Sequence, residues 1–213
     1  MGAGISSKSS VISASRRSSD VFKPKANAAA GNGRPQELNK LDCEYLRRSW
    51  LIIAPDDIQQ FELLYDFGID VYDQIFTSAP ETMKYFPTIH AGAMRSASLI
   101  ELRQIAAFRN QALRLVDVLS YSVQTCESLS SLETRLRDLG RRHRMYVGTD
   151  LNREHFRVIE KATLIVLLAR LEQHRANSNQ AKLDDDTIRR MMQAWSTLLA
   201  HIVYHIHAGY VSA

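Results

Sequence analysis

Three observations predict an all-α fold. From about Leu38 onward, apolar residues recur at the 3.6-residue spacing of amphipathic helices. No pair of apolar runs carries the short turn signal of a β-hairpin. The 213 residues include only five prolines and nine glycines, so little interrupts the helical pattern. With 45% hydrophobic and 23% charged residues, the chain suits one globular domain with a sizeable core plus some extra chain. No apolar run reaches the ~18 residues of a membrane-spanning helix. Cys43 and Cys126 are too few for a disulfide scaffold and fit a reducing compartment, with a single bridge between them left open. No CxxC or tight Cys/His cluster suggests structural zinc.

Residues 1–36 read as a disordered tail and residues 37–213 as the domain. The tail is rich in Ser, Ala and Gly, lacks apolar periodicity and contains Pro24 and Pro35. Its first residues, MGAGIS, match an N-myristoylation signal, with Gly2 as acceptor and Ser6 at the required offset. One acyl chain binds membrane only marginally. Lys8, Arg16, Arg17, Lys23 and Lys25 supply a second attraction, toward an anionic membrane surface. The interleaved serines would weaken that attraction if phosphorylated. The alternative is an unmodified linker. These features place the protein in the cytoplasm, peripheral on the inner face of the plasma membrane when acylated. The tail lacks the apolar core of a secretory signal.

The helices follow in order. KLDCEYLRRSWLII gives the first, with Leu41, Tyr45, Leu46 and Trp50 inward. The segment from Pro55 to Ala79 gives the second, with Asp56 or Asp57 as cap and Ile58, Phe61, Leu64, Ile69, Tyr72 and Phe76 as its apolar positions. Pro80 starts a short turn of helix that ends near Phe86, and a loop follows through Gly92. A long helix is expected from about Ser98 to Val123. The next, SLETRLRDLGRRHRMY, puts Leu132, Leu136 and Leu139 on a core face that His143 continues. LNREHFRVIEKATLIVLLARLEQ is apolar enough for a central helix. The last helix opens at Asp184 to Asp186 and is expected to stop near Gly209.

Polar side chains on apolar faces are the candidate site. Phe108, Gln111 and Leu115 share one face, and Gln111 is the polar member. Tyr72 interrupts the second helix in the same way. Singly, a buried Tyr or Gln usually finds a backbone partner, and His143 can simply close a helix C-terminus. Together they suggest one pocket with two hydrogen-bonding tips opposite a metal ligand.

At these residues the sequence resembles the globin family, over about residues 38–210. IFTSAPETMKYFP is similar to the end of the globin B helix and the C helix, with Phe86 where globins place the phenylalanine that packs on haem. Gly68 and Ala112 fall where the B and E helices cross closely, and Trp50 matches the A-helix tryptophan. LSSLETRLRDLGRRHR is similar to the F helix of neuroglobin-like globins, and QAWSTLLAHIV to the H helix. The resemblance implies a globin fold, helices A–H around haem b (iron protoporphyrin IX). It implies His143 as the proximal iron ligand with Leu139 beneath the ring. It implies Tyr72 and Gln111 as the distal pair, as in several nematode globins, with Leu115, Phe156 and Ile159 lining the pocket and Arg114 at its mouth near a propionate. Most vertebrate globins carry histidine where Gln111 stands. An amide is a poor iron ligand, so the sixth position is left to O₂, NO or CO, with His90 the one nearby residue able to swing in.

The leading function is a haem-binding globin that holds O₂ reversibly and tightly, in sensing, storage or signalling at a membrane. One alternative is a redox globin performing electron transfer, NO dioxygenation or nitrite reduction; another is a haem-free helical adaptor. A conventional enzyme is not indicated, because no Ser/His/Asp or Cys/His catalytic spacing is present. The pair His201/His205 has metal-chelating spacing but reads as the exposed end of the last helix. His155 and His174 have no evident partners. RLRDLGRRHR is basic but lacks interleaved stacking aromatics, so no nucleic-acid partner is expected. No protein partner is indicated.

Overall fold

The computed structural model describes residues 33–56, 60–86, 105–148, 150–177 and 183–213. These form six α-helices and one 3₁₀ helix, and no strand occurs among the described residues. The helices are α1 (Lys40–Ile53), α2 (Gln60–Ser78), the 3₁₀ helix (Pro80–Tyr85), α3 (Ala106–Gln124), α4 (Leu129–Val147), α5 (Arg153–Asn177) and α6 (Asp185–Val211). Residues 1–32 of the tail, with Gly2 and its serines and lysines, lie outside the described residues, as do Asp57, Ile58, Gly92 and His90.

The compact unit that holds the helices begins at Arg34, a little before the expected boundary. Pro35 is buried, and the Gln36 carbonyl accepts a hydrogen bond from His201 Nε2–H at 2.7 Å. A capping box then starts α1: the Asp42 amide donates to Asn39 Oδ1 at 2.9 Å, and the Asn39 amide donates back to Asp42 Oδ2 at 3.0 Å. The buried face of α1 is Cys43, Leu46, Ser49, Trp50 and Ile53; Leu41, expected inward, is exposed. Two turns of helix separate Leu46 from Ile53, and Leu41 falls off that stripe.

Trp195 on α6 is fully buried against Trp50, with ring centroids 5.5 Å apart. Its indole N–H donates to Ser49 Oγ at 2.8 Å, while the Ser49 hydroxyl donates to the Tyr45 carbonyl. The polar edge of a large buried ring is thereby satisfied, which avoids a cost of about 1–3 kcal/mol. On α2 the core residues are Phe67, Ile69, Val71, Tyr72, Ile75 and Phe76, whereas Phe61 near its start is exposed.

Helix α3 starts at Ala106, after Ile105 in extended backbone, and the expected start near Ser98 lies outside the described residues. Residues 87–104 lie outside the described residues. Helix α6 does not stop at Gly209; it runs on to Val211, because that glycine serves a helix crossing. Glycine ends α4 instead, where Gly148 has φ 73°, in the region that favours glycine.

Helix α2 packs on α3 and α5, and α4 packs along α6, which also holds α1 and α5. Helices α3 and α4 are joined by a short turn yet do not pack along their lengths.

Candidate functional site

The distal half is built where α2 crosses α3. A Cβ on Gly68 would lie 2.8 Å from the Ala112 carbonyl oxygen, so only glycine lets the backbones approach this closely. Tyr72 follows Gly68 by one turn and Gln111 adjoins Ala112, so the crossing brings these two side chains together. Gln111 Nε2 donates to the Tyr72 hydroxyl oxygen at 3.1 Å. Tyr72 is 3% exposed, and its ring packs on Phe76, Phe86 and Phe108 with centroids 5.6–6.0 Å away. Burial pushes the phenol up to about 12, against the lowering effects of Gln111 and Arg114. At neutral pH the hydroxyl therefore keeps its proton. Its lone pair is used by Gln111, which leaves its hydrogen for a third group.

Phe86 is half-buried at the end of the 3₁₀ helix and also meets Phe76 edge-on. Arg114 is exposed on the same helix as Gln111. Leu115 and Ile159 are half-buried and take no part in these ring contacts or hydrogen bonds.

The proximal half is built on α4. Leu132, Leu136 and Gly140 are buried, whereas Leu139 and His143 are half-buried. The expected single stripe is kept, the five positions falling within about 100° around the helix. Gly140 meets the α6 backbone directly, while Leu139 and His143 are left partly open.

His143 Nδ1–H donates to the Leu139 carbonyl at 2.8 Å. Among the described residues Nε2 has no hydrogen-bond partner. Burial lowers the pKa of this imidazole, opposed by the Leu139 bond and reinforced by Arg142. A neutral ring with its proton held on Nδ1 presents the Nε2 lone pair, the form a metal ligand needs. Phe156 on α5 meets the ring edge-on, with centroids 5.9 Å apart.

Four determinants of this half were not anticipated from sequence. A Cβ on Gly140 would meet the Ile206 carbonyl oxygen at 2.0 Å, and one on Gly209 would meet the Arg137 carbonyl oxygen at 2.0 Å. Backbone therefore touches backbone one turn before His143. The signal available was two glycines inside strongly helical segments, which marks close approach as readily as a helix end. Tyr210 fastens the connection after α4: its hydroxyl donates to the Gly148 carbonyl and accepts from the Leu151 amide at 3.0 Å. His155 has partners after all. Its Nδ1 accepts from the Asn152 amide at 3.0 Å, and its ring packs on Tyr85.

His201 and His205 are buried at 1% and 3% exposure, which corrects their reading as an exposed helix end. Their faces of α6 are covered by the chain around Gln36 and by α4, where Glu133 Oε1 lies 3.6 Å from His205 Nδ1. No group of three or more metal-ligating side chains occurs among the described residues, so the pair is no evident metal site.

The residues present fit a flat iron-bearing group. Helix α4 offers an imidazole nitrogen, α3 an amide donor and α2 a hydroxyl donor, and α3 and α4 do not pack along their lengths. Comparison with known proteins agrees with this geometry. A family model for globins matches residues 69–206. A hexacoordinated haem protein from an anhydrobiotic tardigrade is similar in structure, with TM-score 0.61 and 19% identity over 82% of this chain and 96% of that one. The globin-like protein Glb-12 from C. elegans is similar too, with TM-score 0.62 and 15% identity over 82% of this chain and 90% of that one. At such identities these two structures speak for the fold alone. No curated protein matches.

Proposed function

This chain belongs to the globin family, and from that premise we propose that it binds haem b through His143 and holds O₂ reversibly beneath Tyr72 and Gln111. Reduced haem supplies a reversible site for a diatomic gas. The chain supplies the rest. His143 is oriented by its bond to Leu139, and Phe156 limits its rotation. On the other side, hydrogen-bond donors would favour a bound gas that had drawn electron density toward itself. Tyr72 contributes its hydroxyl hydrogen and Gln111 its second amide hydrogen. Each such bond in a dry pocket contributes about 1 kcal/mol net, so two slow O₂ loss by roughly tenfold to a hundredfold. CO carries less charge and gains less.

The observation that carries this reading is the Gln111–Tyr72 hydrogen bond, because it fixes the phenol with its proton to spare. Slow release suits sensing or storage better than delivery. Absorption spectra of the ferric, ferrous and ferrous–CO forms test the haem assignment. A Soret band is expected in the wild type and its loss in His143→Ala. A colourless wild type that resists haem loading means a helical adaptor instead.

The tail supports a membrane location for this activity. With Gly2 as the acyl acceptor, Gly2→Ala is expected to move the protein from the membrane fraction to the cytosol. Equal distribution of both forms rejects acylation.

A further inference from the structure

We propose that Cys43 and Cys126 form a reversible disulfide that ties α1 to the turn joining α3 and α4. Cys43 lies on the buried face of α1, and Cys126 lies in the turn after Gln124. Both are free thiols, each 1% exposed, and they lie close enough for each to influence the other. A second contact spans the same two elements: Arg47, one turn beyond Cys43, pairs with Glu127, next to Cys126, at 2.7 Å. Two buried neighbouring thiols, on elements that this ion pair already holds together, need only a small movement to reach the separation a disulfide requires.

Burial pushes the Cys43 thiol up to about 12, with Cys126 adding to the rise, so thiolate is scarce while the turn is closed. Access comes through the turn. Glu127 and Ser128 are exposed, and the Ser128 amide closes the turn on the Thr125 carbonyl at 2.8 Å. Opening this short segment brings Cys126 out, whereas Cys43 stays fixed within a helix.

The oxidant class is a small-molecule disulfide. Cys126 gives up its proton, and its sulfur attacks one sulfur of the reagent. The reagent's other half leaves as thiolate, and a mixed disulfide remains on Cys126. Cys43 then loses its proton, and its sulfur displaces the second reagent thiolate, forming the Cys43–Cys126 bond. Two protein thiols are oxidised, one reagent disulfide is reduced, and the two protons end on the two reagent thiols. The bond closes a loop that contains α2 and α3 whole, which restricts the unfolded chain. It also fixes the segment between the helix of Gln111 and the helix of His143.

The test equilibrates the purified full-length protein with oxidised glutathione, and none of its readouts depends on haem. The expected product is a monomer that has lost two hydrogens and whose cysteines resist alkylation after unfolding. Its Tm is expected to rise by about 5–15 °C and to fall back with dithiothreitol. Cys43→Ala is expected to stop at a glutathione adduct on Cys126, with no such rise. Two alkylatable thiols remaining in the wild type, a disulfide-linked dimer, or a formed bond that leaves Tm unchanged or lower overturns the proposal; the wild-type measurement decides even where the variant folds poorly.

Discussion

On the distal side of the candidate site, once Gly68 has let α2 and α3 cross, the polar pair itself is held by side chains: Gln111 bonds Tyr72, and Phe76, Phe86 and Phe108 pack its ring. On the proximal side, backbone does the holding. His143 is oriented by the Leu139 carbonyl, and α4 is seated by direct contact of Gly140 with the α6 backbone. The difference teaches where change is tolerated. A distal side chain can be exchanged at the expense of one hydrogen bond. A proximal backbone contact has no slack, since any side chain there displaces a whole helix.

Breaking the proximal contact is expected to have the largest effect. Gly140→Ala forces a methyl group against the Ile206 carbonyl oxygen and the Tyr210 amide nitrogen. Helix α4 must shift, with a stability loss of about 3 kcal/mol or more and a Tm drop on the order of 10 °C. Haem retention should fall with it. A Gly140→Ala protein that melts within a degree or two of wild type contradicts the backbone-seated description.

The distal side should answer more mildly. Tyr72→Phe removes one donor and leaves the Gln111 amide without its partner, while the ring packing survives. Stopped-flow displacement should show O₂ leaving about tenfold faster, with CO release little changed. An unaltered O₂ off-rate would mean that the phenol points elsewhere. Stability should change far less than in the glycine variant, which is the sharper statement of the contrast.

The smallest expected effect concerns acid. Burial holds His201 below its ordinary 6.5, against the raising effect of the Gln36 carbonyl, and holds His205 below 6.5 as well, against Glu133. Arg34 and Arg137 on the neighbouring elements add to the lowering at His205. The fold thus prefers neutral rings. Their contribution is present above pH ~6.5 and is lost as pH falls below it, because the unfolded chain takes up protons first. Urea midpoints at pH 7.5 and 5.5 should show the loss, and His201→Gln with His205→Gln should reduce it. Because Glu133 belongs to α4, this weakening falls on the proximal side. A pH-independent midpoint in the wild type contradicts the assignment.

Much of this architecture was legible in the chain. The span of α1, the start of the 3₁₀ helix at Pro80, and the opening of α6 at Asp184 follow from periodicity and capping chemistry. The pairing of Gly68 with Ala112 was legible through the family resemblance, which places small residues at a close crossing. The errors have physical causes. Leu41 lies off the buried stripe of its helix, and Phe61, in the first turn of α2, is likewise exposed. Gly209 was expected to end a helix because glycine's freedom and glycine's smallness leave the same mark in a sequence. His201 and His205 were expected at an exposed end because nothing local reveals that Gln36 and Glu133 return to cover them.

Local patterns by themselves determined the helices, the polar residues on their apolar faces, and the choice of imidazole, phenol and amide for the site. Those depend on neighbours three and four residues away, which any window of sequence contains. Only the tertiary structure decided that His143 is half-buried where Leu132 and Leu136 are buried, that its Nδ1 proton is held by Leu139, and that Tyr72 keeps a hydrogen to give. Those outcomes depend on which backbones touch across the molecule, and contact at that range is set by the packing of whole helices.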